Sequence, residues 1–364
     1  MTLDAFWTTN QKDMEQFIQM SHNAAAHVDY IQGGGGNTSV KLADGLMAIK
    51  ASGFSMGQIS RDNAYAVLDG AVLRTFYGET DPATLDDIEA SGSKVAKDAT
   101  LAIDGLPSLR PSVEAGFHSI LDKYVLHTHS VYANLASCSK DGRDCLAEAL
   151  AGAPYAFGFV PYVDPGARLT FQIAGVCDEV EATMGKRPAL LLMENHGIIA
   201  HADTAEEATR IHEDANQRIA AYFGVTTADF PTIAIRPDGE NWRSDTPWLA
   251  QRLAGGAHDA AFFTAESLYP DQLVFLGGNL SDAASEAEVS AATTSGVIVH
   301  DTGAVQYRCA ESEALVMEQT LCCVLFVIEK IRAKGKQVQA MDAAGKDFIA
   351  NWESEKYRKS LVQK

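Results

Sequence analysis

The sequence has few cysteines and none of the spacings that would give them a structural role. Six cysteines are spread over 364 residues, and no two of them form a C-x-x-C pair. This excludes the usual zinc-knuckle pattern and a disulfide framework. Reduced, mostly buried thiols are typical of a cytoplasmic protein, so we expect that location.

Long apolar runs and positive charge are also missing. The longest strongly apolar run, LCCVLFVI (residues 321–328), is far too short to span a bilayer. The first residues lack the basic and apolar regions of a signal peptide. A net charge of −19 argues against nucleic acid and against anionic membrane surfaces as partners. A small anionic substrate is not excluded, because backbone donors can hold an anion locally.

The first part of the chain alternates between strand-like and helical patterns. NTSVKL and LMAIKAS (residues 37–52) predict a hairpin, and AYAVLDGAVLRTF (residues 64–76) predicts a short strand pair. SVEAGFHSIL predicts a helix with Ser112 as its N-cap. YVLHTHS (residues 124–130) predicts the next strand, and an apolar run broken by ENHG follows at residues 188–201.

A boundary is predicted at residues 226–242, where prolines and polar residues interrupt the periodicity. We therefore expect two units, residues 1–225 and residues 226–364. The length is sufficient for both to bury a core. The second unit is expected to be a smaller α/β unit, with strand-like DQLVFLGG, SGVIVHD and GAVQYR and a helix over residues 312–334.

Three histidines stand out as candidate metal ligands. Residues i and i+2 of a strand point to the same face, so His127 and His129 project together. Alone, the pair is explained as well by two hydrogen-bonded core histidines. His196 follows an apolar strand and precedes a glycine, which places it to meet the first pair. Three histidines with an open fourth position are typical of a catalytic zinc site.

Glu114 is a fourth candidate because it opens the helix before the H-x-H strand. It could ligate a metal or act as a general base. The alternative is an ordinary first-turn glutamate that the helix dipole favours. QGGGGNTSV, KASG and RPSV add glycines and hydroxyls of the kind that bind an anion. A glycine-rich turn before a strand explains the first of these equally well, and the absence of G-K-[ST] excludes a P-loop.

Taken in order, GGNTSV, KASG, RPSVEAGFH, VLHTHS and ENHGIIA resemble the class II aldolase/adducin family. This family includes zinc-dependent fuculose-1-phosphate and rhamnulose-1-phosphate aldolases. The resemblance covers roughly the first 220 residues. With its extra C-terminal part, the chain is similar to the aldolase half of bifunctional rhamnulose-phosphate aldolase/dehydrogenases, but it shows no G-x-G-x-x-G after a strand.

The resemblance implies an α/β fold, in which an α/β/α layered domain with a central, mainly antiparallel sheet precedes the smaller C-terminal α/β unit. It also implies a homo-oligomer, either a tetramer or a dimer. The implied ligands of Zn²⁺, or of another divalent metal, are His127, His129 and His196, and Glu114 is the implied catalytic acid/base. The implied phosphate cradle comprises Asn37, Ser52, Gly53 and Ser112.

The reaction that the resemblance implies is reversible retro-aldol cleavage of a sugar phosphate. A ketose 1-phosphate similar to rhamnulose 1-phosphate would give dihydroxyacetone phosphate and an aldehyde. The family often has two hydroxyl residues before the glutamate, and here the second is Val113, which leaves open whether the substrate is phosphorylated. The alternatives are a sugar-phosphate epimerase, an oxo-acid phosphate decarboxylase, or a non-catalytic adducin-like binding module.

Overall fold

A seven-stranded sheet forms the frame of the N-terminal part of the protein. The computed structural model describes residues 1–351. The strands are β1 (Asn37–Lys41), β2 (Leu46–Lys50), β3 (Tyr65–Asp69), β4 (Tyr124–Thr128), β5 (Phe157–Val160), β6 (Leu190–Met193) and β7 (Gly197–Ala202). Their order is β3-β2-β1-β4-β7-β6-β5, and every neighbouring pair is antiparallel except β5 with β6. The prediction of a central, mainly antiparallel sheet is confirmed.

Helices cover both faces of this sheet. They are α1 (Leu3–Ala25), α2 (Gly70–Glu79), α3 (Ile88–Ala99), α4 (Ala115–Ile120), α5 (Val131–Ser137), α6 (Gly142–Ala149), α7 (Ala167–Met184) and α8 (Ala205–Tyr222). Helices α1, α5 and α8 pack on one face, and α2, α3, α4 and α7 form the layer on the other. The result is the α/β/α layering that was expected.

The two faces explain why the central strands are apolar at every position. In β6 and β7, Leu192 and Ile198 belong to the core beneath α5 and α8, whereas Leu191 and Ile199 belong to the core beneath α4 and α7. All four side chains are fully buried. The sequence of a strand that is buried on both faces is a continuous apolar run, without the alternation of apolar and polar residues seen in a half-buried strand.

A second sheet follows in the C-terminal part. Its strands are β8 (Ile235–Asp238), β9 (Asn241–Ser244), β10 (Leu280–Ala283), β11 (Gly296–Val299) and β12 (Ala304–Tyr307), in the order β10-β11-β12-β9-β8. The helices of this part are α9 (Pro247–Leu253), α10 (Ala260–Ala265), α11 (Pro270–Leu276), α12 (Glu311–Ala333) and α13 (Ala343–Asn351).

Helix α12 joins the two parts of the protein. It packs against α5 and α11 on one side and against β8 and β9 on the other. The run from Leu321 to Ile328 is buried at every position, which explains why it is apolar all round instead of amphipathic. One continuous hydrophobic cluster contains residues of both predicted units. The division near residue 225 stays a prediction.

Two predicted elements are wrong. Residues 64–76 form one strand and the start of a helix, because the Asp69 side chain accepts hydrogen bonds from the backbone of Ala71 and Val72 and begins α2 there. DQLVFL lies in helix α11 instead of a strand. Pro270 occupies its first turn, where proline is favoured and its missing N–H is harmless.

The cap of α4 also differs from the prediction. Glu114, not Ser112, is the N-cap residue, and its own side chain makes no capping hydrogen bond. The carboxylate is therefore directed elsewhere.

All six cysteines are free thiols. Of the helices that the structure describes, none has the length and apolar character needed to cross a bilayer.

The position of α12 predicts a large effect of truncating its buried side chains. Leu325 is 0% exposed, whereas Leu101 is 37% exposed. Leu325→Ala should lower the free energy of unfolding by about 2–5 kcal/mol because it leaves a cavity. Leu101→Ala, the matched control, should change it by at most about 0.5 kcal/mol. Urea unfolding followed by circular dichroism measures both, and equal midpoints for the two variants would contradict this role of α12.

Candidate active site

Three imidazoles meet at one end of the central sheet. His127 lies in β4 and His129 follows directly after that strand, so both side chains project to the same face. His196 lies in the turn between β6 and β7. Because β4 pairs with β7, with Thr128 opposite Ile198, this turn lies beside the end of β4. The structure therefore brings the three predicted histidines together.

The ring nitrogens of the three histidines converge. Nε2 of His127 and Nε2 of His129 are 3.1 Å apart, and one nitrogen from each of the three rings lies within 4.8 Å of the other two. All three side chains are buried. This spacing fits a single metal ion bound through three imidazoles.

Hydrogen bonds on the far side of two of these rings set their tautomers. Nδ1 of His127 donates to the backbone carbonyl of Ile198 at 3.0 Å, and Nδ1 of His129 donates to the carboxylate of Asp271. In the neutral rings, the lone pairs on Nε2 therefore face each other. Burial lowers the pKa of His127 to about 4 and that of His196 to about 3. Facing lone pairs repel unless a cation lies between them, so the residues present fit a divalent metal.

Glu114 lies against the histidine group. Its Oε1 is 3.3 Å from Nε2 of His196, and its Oε2 is 3.6 Å from Nε2 of His127. Burial favours the neutral carboxyl, but the neighbouring His127 and His196 and a hydrogen bond from Asn37 outweigh it and lower the pKa of Glu114 to about 2. The group is an ionised carboxylate. Among the described residues, none donates a hydrogen bond to Oε1.

A chain of hydrogen bonds fixes the other carboxylate oxygen. Ser39 Oγ lies 2.7 Å from Nδ1 of His118, and Nε2 of His118 donates to Oδ1 of Asn37. The amide nitrogen of Asn37 then donates to Oε2 of Glu114 at 2.6 Å. Burial lowers the pKa of His118 well below its usual value, so the ring is neutral and can donate through one nitrogen while accepting through the other. His118 thus acts on Glu114 through Asn37 and does not face the histidine group.

The predicted hydroxyl and glycine residues line the same cleft. Ser52 and Gly53 follow β2, and backbone hydrogen bonds of residues 50–52 with 110–112 place them beside Ser112. The Ser112 hydroxyl accepts hydrogen bonds from Asn37 Nδ2 at 3.0 Å and from the Glu114 backbone at 3.3 Å. Its own hydrogen therefore remains for an acceptor. The cleft is lined by Gly34, Gly36, Asn37, Lys50, Ser52, Gly53, Ser112, Val113, Glu114, His129, Pro165, His196 and Pro270.

Three residues with clear roles in this geometry were missed by the sequence analysis. Lys50 is buried in the cleft wall and donates to the carbonyls of Gly34 and Phe54. Asn195 precedes His196 and adopts a left-handed backbone with φ of 49°. Asp271 lies in α11, in a segment interpreted as a strand. Asn195 could have been found, because asparagine is enriched among the non-glycine residues that adopt a left-handed backbone; Asp271 had no local signal.

Comparison with known proteins agrees with the resemblance seen in the sequence. A profile of the family "Class II Aldolase and Adducin N-terminal domain" matches residues 15–222. Among curated proteins, none matches the chain.

Several solved structures are similar to part of this chain. The class II aldolase domain of a conserved Thermoplasma acidophilum protein is 21% identical, with a TM-score of 0.47 over 58% of this chain and 93% of that one. YgbL from Klebsiella pneumoniae is 20% identical, with a TM-score of 0.40 over 62% and 92%. An L-fuculose 1-phosphate aldolase is 21% identical, with a TM-score of 0.38 over 63% and 92%.

The convergence of the rings predicts that purified protein carries about one divalent metal ion per chain. The His127→Ala/His129→Ala double variant should lose nearly all of it, because two of the three nitrogens are removed. His201→Ala is the matched control, since His201 is also buried and bonded to a carboxylate, that of Asp122, but lies outside this group. Metal analysis by mass spectrometry measures all three. Unchanged metal in the double variant would refute the site.

Proposed function

The chain belongs to the class II aldolase and adducin N-terminal domain family, and on that premise we propose that it is a metal-dependent aldolase. Its reaction is the reversible cleavage of a ketose 1-phosphate, similar to rhamnulose 1-phosphate, into dihydroxyacetone phosphate and an aldehyde. The observation that carries this proposal is the placement of an ionised carboxylate, Glu114, beside three converging imidazoles in one cleft.

The metal site and the carboxylate would divide the chemistry between them. A divalent ion held by His127, His129 and His196 would supply positive charge that stabilises the negative charge developing on the donor oxygens. Glu114 supplies the base. Its Oε2 is held by Asn37, and its Oε1 has no donor among the described residues, so a substrate proton can be accepted there.

Glu114 transfers one proton in each direction of the reaction, aldol formation and aldol cleavage. In aldol formation, Oε1 takes the proton from the donor carbon, the electron pair left on that carbon forms the new carbon–carbon bond, and the aldehyde oxygen takes up a proton from solvent to become a hydroxyl. In cleavage, that hydroxyl releases its proton to solvent as the carbon–carbon bond breaks, and the electron pair of the bond is left on the donor carbon. Glu114 takes up a proton from solvent in exchange and delivers it to the donor carbon, which restores the ionised carboxylate. Because its pKa is lowered to about 2, Glu114 is ionised at rest, which is the state that the first direction requires.

The rest of the cleft fits the phosphate end of the substrate. Ser52, Gly53 and Ser112 lie together on the cleft wall, and the Ser112 hydroxyl has a hydrogen for an anionic oxygen. Asn37 is different, because its amide already bonds Glu114 and Ser112 while its oxygen accepts from His118. We therefore propose that Asn37 chiefly orients the base, and its contact with phosphate stays a prediction.

Glu114→Gln separates the role of a base from that of a ligand. Glutamine keeps the size and can still hydrogen-bond, but it cannot accept the substrate proton, so proton transfer should slow by about 10²–10⁴-fold. Metal content should stay at the wild-type value, because three histidines hold the ion. Exchange of the donor C–H of dihydroxyacetone phosphate with deuterium oxide, followed by NMR, measures this step without knowledge of the aldehyde.

The matched control is Glu318→Gln. Glu318 is another buried glutamate, which accepts hydrogen bonds from Ser244 and Tyr307 and does not line the cleft. It should exchange at the wild-type rate. If Glu114→Gln retains its metal and also exchanges at that rate, Glu114 is not the base and the proposed mechanism is wrong.

The substrate class is tested by a panel of ketose 1-phosphates, the matching unphosphorylated ketoses and oxo-acid phosphates. We expect release of dihydroxyacetone phosphate from a ketose 1-phosphate, detected by ³¹P NMR and abolished by a chelator. An isomeric sugar phosphate instead would indicate an epimerase, and carbon dioxide would indicate a decarboxylase. A metal-loaded protein that turns over no member of the panel would favour the binding module.

A further inference from the structure

The C-terminal part of the protein reaches into the candidate active site. Helix α11 begins at the cleft, where Pro270 forms part of the wall. The next residue, Asp271, is completely buried, and its Oδ2 accepts the hydrogen bond from Nδ1 of His129. The family profile ends at residue 222, so this carboxylate comes from a part of the chain that the family match does not include.

The glycine-rich turn before β1 is shaped by the same helices. A Cβ on Gly35 would collide with Oδ2 of Asp271 and come within 3.0 Å of Nδ1 of His129. Gly33 has a φ of 54°, and a Cβ there would lie 2.9 Å from a methyl group of Val316 in α12. The turn therefore has to be free of side chains for the C-terminal helices to approach the metal site.

The C-terminal part also contacts the turn that carries a second histidine of the metal site, His196. The amide of Asn195, the residue before His196, donates to the backbone carbonyls of Leu268 at 2.8 Å and Gln339 at 2.7 Å. These bonds hold the left-handed turn that presents His196. By contrast, Nδ1 of His127 donates its hydrogen bond to the carbonyl of Ile198, which lies in the central sheet.

We propose that the C-terminal unit is a working part of the metal site, and that Asp271 is a positioning residue for His129. This inference rests on the proposed metal-dependent function. A carboxylate bonded to the far nitrogen of a metal-binding imidazole fixes its tautomer and orientation and makes the near nitrogen a stronger ligand. The loss of such a partner typically lowers metal affinity about 10–100-fold.

The test compares Asp271→Ala, Asp271→Asn and the control Glu318→Gln in the full-length protein. Zn²⁺ affinity is measured by competition with a chromophoric chelator, and the visible spectrum of the Co²⁺-loaded protein reports the geometry at the metal. We expect Asp271→Ala to lose about 10–100-fold in Zn²⁺ affinity and to change the Co²⁺ spectrum. Asp271→Asn should lose less, since its amide oxygen can still accept from His129. Glu318→Gln should match wild type.

The outcomes separate this inference from the proposed function. If wild type binds no divalent metal, both the proposed function and the inference fail. If wild type binds Zn²⁺ while folded Asp271→Ala and Asp271→Asn match it in affinity and Co²⁺ spectrum, only the inference is overturned. Should Asp271→Ala fail to fold, Asp271→Asn decides, because it preserves the volume and the hydrogen bond but removes the charge.

Discussion

The burial of several titratable side chains at one point is the constraint on which the rest of this structure depends. An unsatisfied buried polar group costs about 1–3 kcal/mol, so each member of the site needs partners. His127 donates a hydrogen bond to a backbone carbonyl of the adjacent strand, and His129 donates one to the carboxylate of Asp271. Glu114 accepts one from the amide of Asn37. Two features stay unmatched: Oε1 of Glu114, which has no hydrogen-bond donor among the described residues, and the facing lone pairs on Nε2 of His127 and His129. A bound cation is the simplest group to satisfy the lone pairs.

Meeting this constraint uses elements from most of the chain. The antiparallel pairing of β1, β4 and β7 brings Asn37 and the histidines to one end of the sheet. The start of α4 brings Glu114, and α11 brings Asp271. The central sheet and its turns therefore supply the histidines and Asn37, while the helices supply the proposed base, Glu114, and the carboxylate of Asp271 that orients His129. A site built in this way is sensitive to packing several residues away from the metal.

The sequence predicted those parts of the site whose geometry is local. The spacing of His127 and His129 sets their common face in any strand, and His196 was recognisable at the end of an apolar run. The hydrogen bond between His129 and Asp271 joins residues 142 positions apart, and no local pattern encodes such a contact. DQLVFL was interpreted as a strand because a short apolar run does not distinguish a strand from a buried helix.

The same holds for the fold: local patterns predicted its elements but not how they pack together. Periodicity predicted individual strands, and the resemblance to the family implied the central sheet. The placement of α12 between α5 and the second sheet depends on tertiary packing, which periodicity does not report. The cap of α4 was misassigned for a related reason. Ser112 has the side chain of a good N-cap, yet its hydroxyl accepts from Asn37 as well as from Glu114, so the cleft and not the helix determines its position.

The burial of α12 also has a consequence for synthesis of the chain on the ribosome. Helix α5, against which α12 packs, is complete at residue 137, and α12 begins at residue 311. At translation rates of about 5–20 residues per second, roughly 10–40 seconds pass between the synthesis of α5 and the synthesis of α12, which covers its apolar face. During that interval the nascent N-terminal part presents an uncovered hydrophobic surface, which makes it a natural client for chaperones that act during translation.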